Sequence, residues 1–278
     1  MEKLNDSSPV WAWASNGEIQ YITVPAWVSQ RVKVGFSART GGCSQAPYQS
    51  LNLGLHVGDD YAQVIANRQA LTAALSASPE QMVCCQQVHG SEIALVDASL
   101  AGRGSVIYDT ALPDYDGMVC HTPGLLLATF YADCFPLFFF DPVHRAVGLA
   151  HSGWKGVMGR IGARTVAEMG RCFNSRPPDI QVLIGPGIQS CCFEIGPELA
   201  DRVRQEFSAV SSSIIDSRDT VYHWDLPATI RHILKQSGIR QDNIMGCDLC
   251  TACRTDLFFS YRKEGGVTGR MAAMIGLE

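Results

Sequence analysis

The sequence predicts a mixed α/β fold whose central strands are covered on both faces. Two observations carry this. Between Leu125 and Ala150 three apolar runs follow one another, Leu125–Tyr131, Phe135–Phe140 and Ala146–Ala150. They are rich in aromatic and branched residues and too continuously apolar for strands with one wet face. Around them, segments of strand period and helix period alternate irregularly, and no repeat, low-complexity tract or linker divides the chain. One domain over residues 1–278 is therefore expected.

At 278 residues, with 46% hydrophobic and 18% charged residues, the chain has the composition of a soluble globular protein with a sizeable core. A net charge of −5 and the absence of any Lys/Arg run argue against a nucleic-acid partner, whose phosphates need a basic patch. The most apolar window, Gly124–Phe140, is shorter than a spanning helix and contains Asp133, so no membrane partner is expected. The N-terminal MEKLNDSSPVWAWASNGE lacks the long apolar segment of a signal peptide. Eleven cysteines, an odd number, then read as reduced thiols or metal ligands, with the cytoplasm as compartment. Small-molecule substrates stay open.

In chain order, residues 18–36 alternate as strands about a turn at Pro25–Gln30. The loop Ser37–Gly42 follows, in which Arg39 beside paired glycines either completes a turn or holds a phosphate or carboxylate. Asn52 lies in loop text, where its amide can bond nearby backbone, and His56 reads as structural. Asp59 or Asp60 caps a helix to about Leu75. Gln81–Asp97 reads as strand, the segment Gln87-Val88-His89-Gly90, and strand, with Cys84 and Cys85 as buried thiols. Ala98–Asp116 is a turn-rich connection. Beyond the apolar runs, helices are expected at about Gly156–Phe173, Glu198–Phe207 behind Pro197, and Asp225–Gln236 with Gly238 past its end. A strand is expected at Ile180–Ile184.

Two reactive side chains interrupt the apolar text, Cys134 between the first two runs and His151 after the third. A soft thiolate and an imidazole at strand ends suit either a metal or a Cys–His pair. The turn Ser152–Gly156 and the helix behind it offer an anion a place to sit. His89 joins this site only if folding brings it near. In the tail, Cys247, Cys250 and Cys253 form overlapping C-x-x-C pairs, but no second C-x-x-C supplies a partner knuckle. They read as buried or redox-tolerant thiols rather than metal ligands.

Taken together, these segments resemble the laccase-domain family, also called YfiH-like or DUF152. The likeness runs from Gly35 to Leu277 through Phe36–Gly42, Ser50–Gly54 with His56–Asp60, Gln87–Gly90 and Ala132-Asp133-Cys134. It continues through His151–Gly156, Ile184–Ile188 and Phe258–Lys263. Ser152, Lys155 and Lys263 depart from the family's usual Ala, Arg and Arg; Lys at 155 keeps the charge but loses the planar fork. The resemblance implies a four-layer α/β/β/α sandwich of mixed sheets and a zinc site made by His89, Cys134 and His151. Three such ligands leave a fourth position open, the catalytic arrangement.

What the resemblance implies about activity is a zinc-dependent purine nucleoside phosphorylase. It would take adenosine, inosine, guanosine or methylthioadenosine with phosphate to base and ribose 1-phosphate, and would also deaminate adenosine. Cys134 and His151 are then catalytic as well as ligating. Asp133 is a proton acceptor or an orienter. Arg39, Asn52 and Lys155 are the candidate substrate contacts, with Arg39, Lys155 and the helix after Gly156 holding the anion. The rival is an amidase that edits cell-wall precursors, removing L-serine from a nucleotide sugar, UDP-N-acetylmuramoyl-serine, with Cys134 as nucleophile in one variant. A copper polyphenol oxidase fits poorly, because the chain has only 7 histidines and no His-x-His pair. A non-enzymatic role with a four-ligand structural zinc predicts no turnover. No pattern in the sequence indicates an oligomeric state.

Overall fold

Alternation within the apolar runs sets the layers. Along Phe135–Asp141, the rings of Phe135 and Phe139 pack with Leu137 on one side, while Phe138 and Phe140 pack on the other, and all are buried. Each such ring contributes about 1.5–3 kcal/mol by leaving water. A strand with two apolar faces needs a layer on each. The computed structural model describes residues 10–218 and 221–278; residues 1–9, part of the N-terminal stretch searched for a signal segment, lie outside that description.

Two six-stranded mixed sheets are stacked. The first has the spatial order Ala12–Asn16, Ile19–Thr23, Val32–Ser37, Met271–Leu277, Leu126–Tyr131, Met82–Cys84. Its strands pair antiparallel except for the parallel Met82–Cys84 edge. The second has the order Ile244–Gly246, Gln181–Ile184, Phe135–Asp141, Ala146–Ser152, Gly117–Cys120, Ile93–Val96, with parallel pairs at both edges. Val34, Phe36, Leu127 and Ile275 of the first sheet meet Phe138, Phe140 and Leu149 of the second in the middle core. Helix Tyr61–Ala74 covers the outer face of the first sheet through Leu71 and Ala74. Helices Ile161–Phe173 and Leu226–Gln236 cover the outer face of the second through Val166, Met169, Ile230 and Ile233. The result is helix, sheet, sheet, helix, as the family resemblance implied.

Local differences from the expectations have physical causes. Asp60 rather than Asp59 caps the first long helix, accepting from the Gln63 N–H, while Asp59 takes bonds from Ser44 and Asn52. The expected turn at Pro25–Gln30 begins as a short helix, Pro25–Val28, pinned by the buried Trp27. The single helix expected over Gly156–Phe173 is two, Trp154–Met158 and Ile161–Phe173. Arg160 breaks it in the left-handed conformation at φ 56°, which the apolar periodicity running through both pieces conceals. The third apolar run extends to Ser152, so His151 lies inside a strand, opposite Pro136.

This topology places the chemistry. The chain crosses from the first sheet to the second twice in neighbouring places, between Cys84 and Ile93 and between Tyr131 and Phe135. The first crossing carries His89 and the second carries Asp133 and Cys134.

Candidate metal centre and its cleft

His89, Cys134 and His151 converge although their elements lie far apart in sequence. One ligand atom from each lies within 4.8 Å of the other two. His89 turns its loop with a left-handed φ of 60° and Asp133 does the same at 89°, directly before Cys134. Gly153 lets the ligands approach, for a Cβ there would stand 2.8 Å from Cys134 Sγ and 3.3 Å from His89 Cδ2. His151 is buried, Cys134 half-buried and His89 exposed, so one side of the centre opens outward.

Asp116, just before the strand Gly117–Cys120, holds both histidines. Its Oδ1 lies 2.8 Å from His151 Nδ1 and accepts from the His89 N–H at 3.0 Å. Its Oδ2 accepts from the N–H groups of Val88 and Gly90 at 3.1 and 2.6 Å. With Nδ1 engaged, Nε2 is the nitrogen left for a metal. Burial pushes the Cys134 thiol up, but the His151 and His89 rings outweigh it and bring it down to about 6. Burial pulls His151 down, yet Cys134 and the Asp116 carboxylate lift it to about 9. Cys134 and His151 thus stabilise each other's charged forms, and a metal would take the place of the imidazolium proton. A thiolate and two imidazoles at this spacing fit zinc with one position open.

The open side faces a cleft of about 480 Å³, a size suited to a small molecule. Arg262 and Arg270 bring positive charge to it, and Trp154, Phe193 and Tyr261 bring rings. The Arg270 guanidinium sits 5.7 Å from the Tyr261 ring centre, and that of Arg262 5.3 Å from Phe193. His56 lines the cleft too, rather than serving only as a structural residue. Crowding by protein atoms, then the charges of Arg270 and Arg68, lower its pKa to about 4, although solvent reaches the ring.

The family model described as multi-copper polyphenol oxidoreductase laccase matches residues 33–278. The chain belongs to the laccase-domain family. This laccase-domain chain is 40% identical over 245 residues to a protein named purine nucleoside phosphorylase YlmD in Geobacillus stearothermophilus, spanning 87% of this chain and 89% of the relative. It is 36% identical over 261 residues to purine nucleoside phosphorylase YfiH of Escherichia coli, spanning 92% and 98%. Its fold matches the solved structure of YlmD from Geobacillus stearothermophilus with a TM-score of 0.91 at 35% identity, covering 98% of this chain and all of the other. That of YfiH from Bacillus licheniformis matches with a TM-score of 0.90 at 35% identity, covering 96% and 99%. Despite the family's descriptive name, only two groups of three or more metal-capable side chains occur among the described residues, and together they hold two histidines. A multicopper centre needs many more.

The other residues singled out in this laccase-domain sequence fall in different places. Asp133 lines the cleft, its Oδ1 accepting from Thr251 and Ser260 hydroxyls at 2.7 Å and its Oδ2 from the Arg262 N–H at 2.7 Å. Arg39 lies outside the cleft lining, spent on the carbonyls of Gln49, Thr255 and Phe258 and on Glu264 at 2.9 Å. Asn52 is buried behind the wall, donating to Asp59 and accepting from the N–H groups of Gly54 and Arg270. Lys155 is exposed on the short helix Trp154–Met158, near the Trp154 ring but outside the cleft lining. That helix has five residues, too few for the summed dipole expected to hold an anion. Sequence reasoning passed over Asp116, Arg262 and Arg270 as functional groups. Arg262 belongs to the Phe258–Lys263 motif, whereas nothing local in the sequence marks the other two.

Proposed function

We propose that this chain is a zinc-dependent purine nucleoside phosphorylase, acting as one catalytic domain, with adenosine deamination as a second activity. The observation that carries the reading is the opening of a three-ligand centre into a cleft that also holds Arg262 and Arg270 and three aromatic rings. Relatives named purine nucleoside phosphorylase, at 36–40% identity over most of their length, support it.

Zinc held by His89, Cys134 and His151 would supply Lewis acidity at the position those ligands leave open. The chain's own groups account for binding. Phosphorolysis breaks the bond between the sugar's anomeric carbon and the base nitrogen while a phosphate oxygen bonds to that carbon. Positive charge grows on the sugar, so a phosphate fixed below it both attacks and stabilises. Arg262 and Arg270 take the anion-holding role in this reading, in place of Arg39 and Lys155. Trp154, Phe193 and Tyr261 offer ring faces to the purine and exclude water. Asp133, already accepting from three donors, serves as a positioning residue that joins the Cys134 loop to the Thr251 and Ser260–Arg262 segments.

The test is chromatography of products after incubating zinc-loaded protein with adenosine, with and without phosphate. Adenine and ribose 1-phosphate formed only with phosphate, and lost in Cys134→Ala, are expected. Inosine formed without phosphate reads the deaminase activity. Adenosine left untouched by protein shown to carry zinc at this centre overturns the reading.

A further inference from the structure

Four of the cysteines left unassigned by this chemistry are gathered at one place. Cys191, Cys192, Cys250 and Cys253 each offer a sulfur within 4.8 Å of the others. Cys192 and Cys253 are 3.4 Å apart, Cys191 and Cys253 3.6 Å, and Cys191 and Cys192 3.8 Å. The tail alone lacked a partner for its C-x-x-C pair, and folding supplies one from a vicinal pair almost sixty residues upstream. Cys247, the remaining tail cysteine, is buried in the core between the sheets instead.

We propose that Cys191, Cys192, Cys250 and Cys253 form a second zinc site, structural in kind and distinct from the His89–Cys134–His151 centre. Four thiolates at about 2.3 Å from a tetrahedral zinc stand about 3.8 Å from one another, close to the three spacings among Cys191, Cys192 and Cys253. An iron–sulfur cluster would interpose sulfide and iron and hold its thiolates farther apart. A disulfide would need one pair at about 2.05 Å and would leave the other two thiols without a role. As zinc enters, each thiol gives its proton to solvent and a sulfur–zinc bond replaces the sulfur–hydrogen bond, with no change of oxidation state.

The surroundings suit such a site. The Gln189 N–H points at Cys250 Sγ at 3.5 Å, a donor that stabilises thiolate. The Arg262 side chain bonds the Cys192 and Glu194 carbonyls, so a positive charge lies beside the thiol group. The two strips are already registered, with Gly187 and Cys250 in a parallel bridge and the Thr251 N–H donating to Gly187. Phe193 follows Cys192 directly and Thr251 follows Cys250; the first lines the cleft and the second donates to Asp133. A metal here would tie the wall carrying Ile188 and Phe193 to the segment carrying Arg262, a role that does not depend on the nucleoside reading.

Metal content of the whole chain, purified under reducing conditions with zinc supplied, tests this. About two zinc ions per chain are expected in the wild type, about one in Cys134→Ala, and only the His89–Cys134–His151 zinc in Cys253→Ser, given one ion per four-thiolate or three-ligand site. Cys134→Ala loaded with Co²⁺ is expected to show thiolate-to-cobalt charge transfer and tetrahedral visible bands, which needs no change in the four cysteines. Zinc stoichiometry equal in Cys253→Ser and wild type overturns the proposal. So does a Cys134→Ala protein that binds neither zinc nor cobalt, acid-labile sulfide with iron in the purified chain, or a disulfide among these cysteines in freshly purified protein. Activity is not the readout, so failure here and failure of the phosphorylase reading are distinguishable.

Discussion

One oxygen of Asp116 accepts from both the His151 ring at 2.8 Å and the His89 backbone at 3.0 Å. A single buried carboxylate therefore fixes the tautomer of one metal ligand and the loop conformation of another. Partners of this kind typically contribute 10–100-fold to metal affinity. Asp116→Asn is expected to weaken zinc binding by about that factor, because the amide cannot accept from every donor the carboxylate satisfies. Competition with a chromophoric chelator measures it; an unchanged affinity would remove Asp116 from the centre.

Gly153 makes a sharper case, since its backbone is one any residue adopts, with φ −80°. Only space forbids a side chain there. Gly153→Ala puts a methyl 2.8 Å from Cys134 Sγ, so the sulfur must swing from its ligating position. The expected outcome is loss of zinc from this centre with native far-UV circular dichroism. Full zinc occupancy in that variant would show that the loop yields instead.

The two cleft arginines and Arg39 separate in their effects. Arg270→Ala or Arg262→Ala is expected to raise the KM for phosphate about 10-fold or more, the scale of a hydrogen bond to a charged group. Arg39→Ala removes the donor to Glu264 Oε1 and to three carbonyls, while Glu264 Oε2 keeps the Ser260 N–H and the Thr268 hydroxyl. It is expected to lower Tm, at about 1–3 kcal/mol of stability, with the KM for phosphate unchanged. Steady-state kinetics at varied phosphate beside thermal melts would show the split, and a KM effect in Arg39→Ala alone would reverse the assignment.

His56 carries a pH signature. Its pKa of about 4 in the fold lies below the value near 6.5 of a free histidine, so the unfolded chain binds the proton more tightly. By linkage this contribution to stability is complete above about pH 6.5, falls as pH drops towards 4, and then levels. Exposure of the ring and screening by solvent moderate its size. The imidazole should therefore stay neutral at pH 5 to 6 in a carbon-detected titration. A midpoint near 6.5 would contradict it.

The layers could be read from the chain because burial on both faces leaves a mark that is local in sequence. Phe135–Phe140 and Ala146–Ala150 are apolar at consecutive positions, and only a strand between two layers uses such text. Helix boundaries were less legible. The break at Arg160 is enforced by a left-handed residue that carries no apolar signal of its own.

The sequence by itself determined a mixed α/β fold with strands covered on both faces, implied the four-layer sandwich through its resemblance to a family, and singled out Cys134 and His151 as chemical groups within apolar text. The tertiary structure decided which other groups join them. Asp116 reaches His151 across 35 positions, and Cys253 reaches Cys191 across 62. The same folding withdrew Arg39 and Asn52 into the framework and brought Arg262 and Arg270 into the cleft. The physical reason is common to all of these. Hydrophobic patterning is periodic along the chain and survives in one dimension, whereas a hydrogen bond or a metal site is a meeting of a few atoms whose positions depend on how two sheets stack.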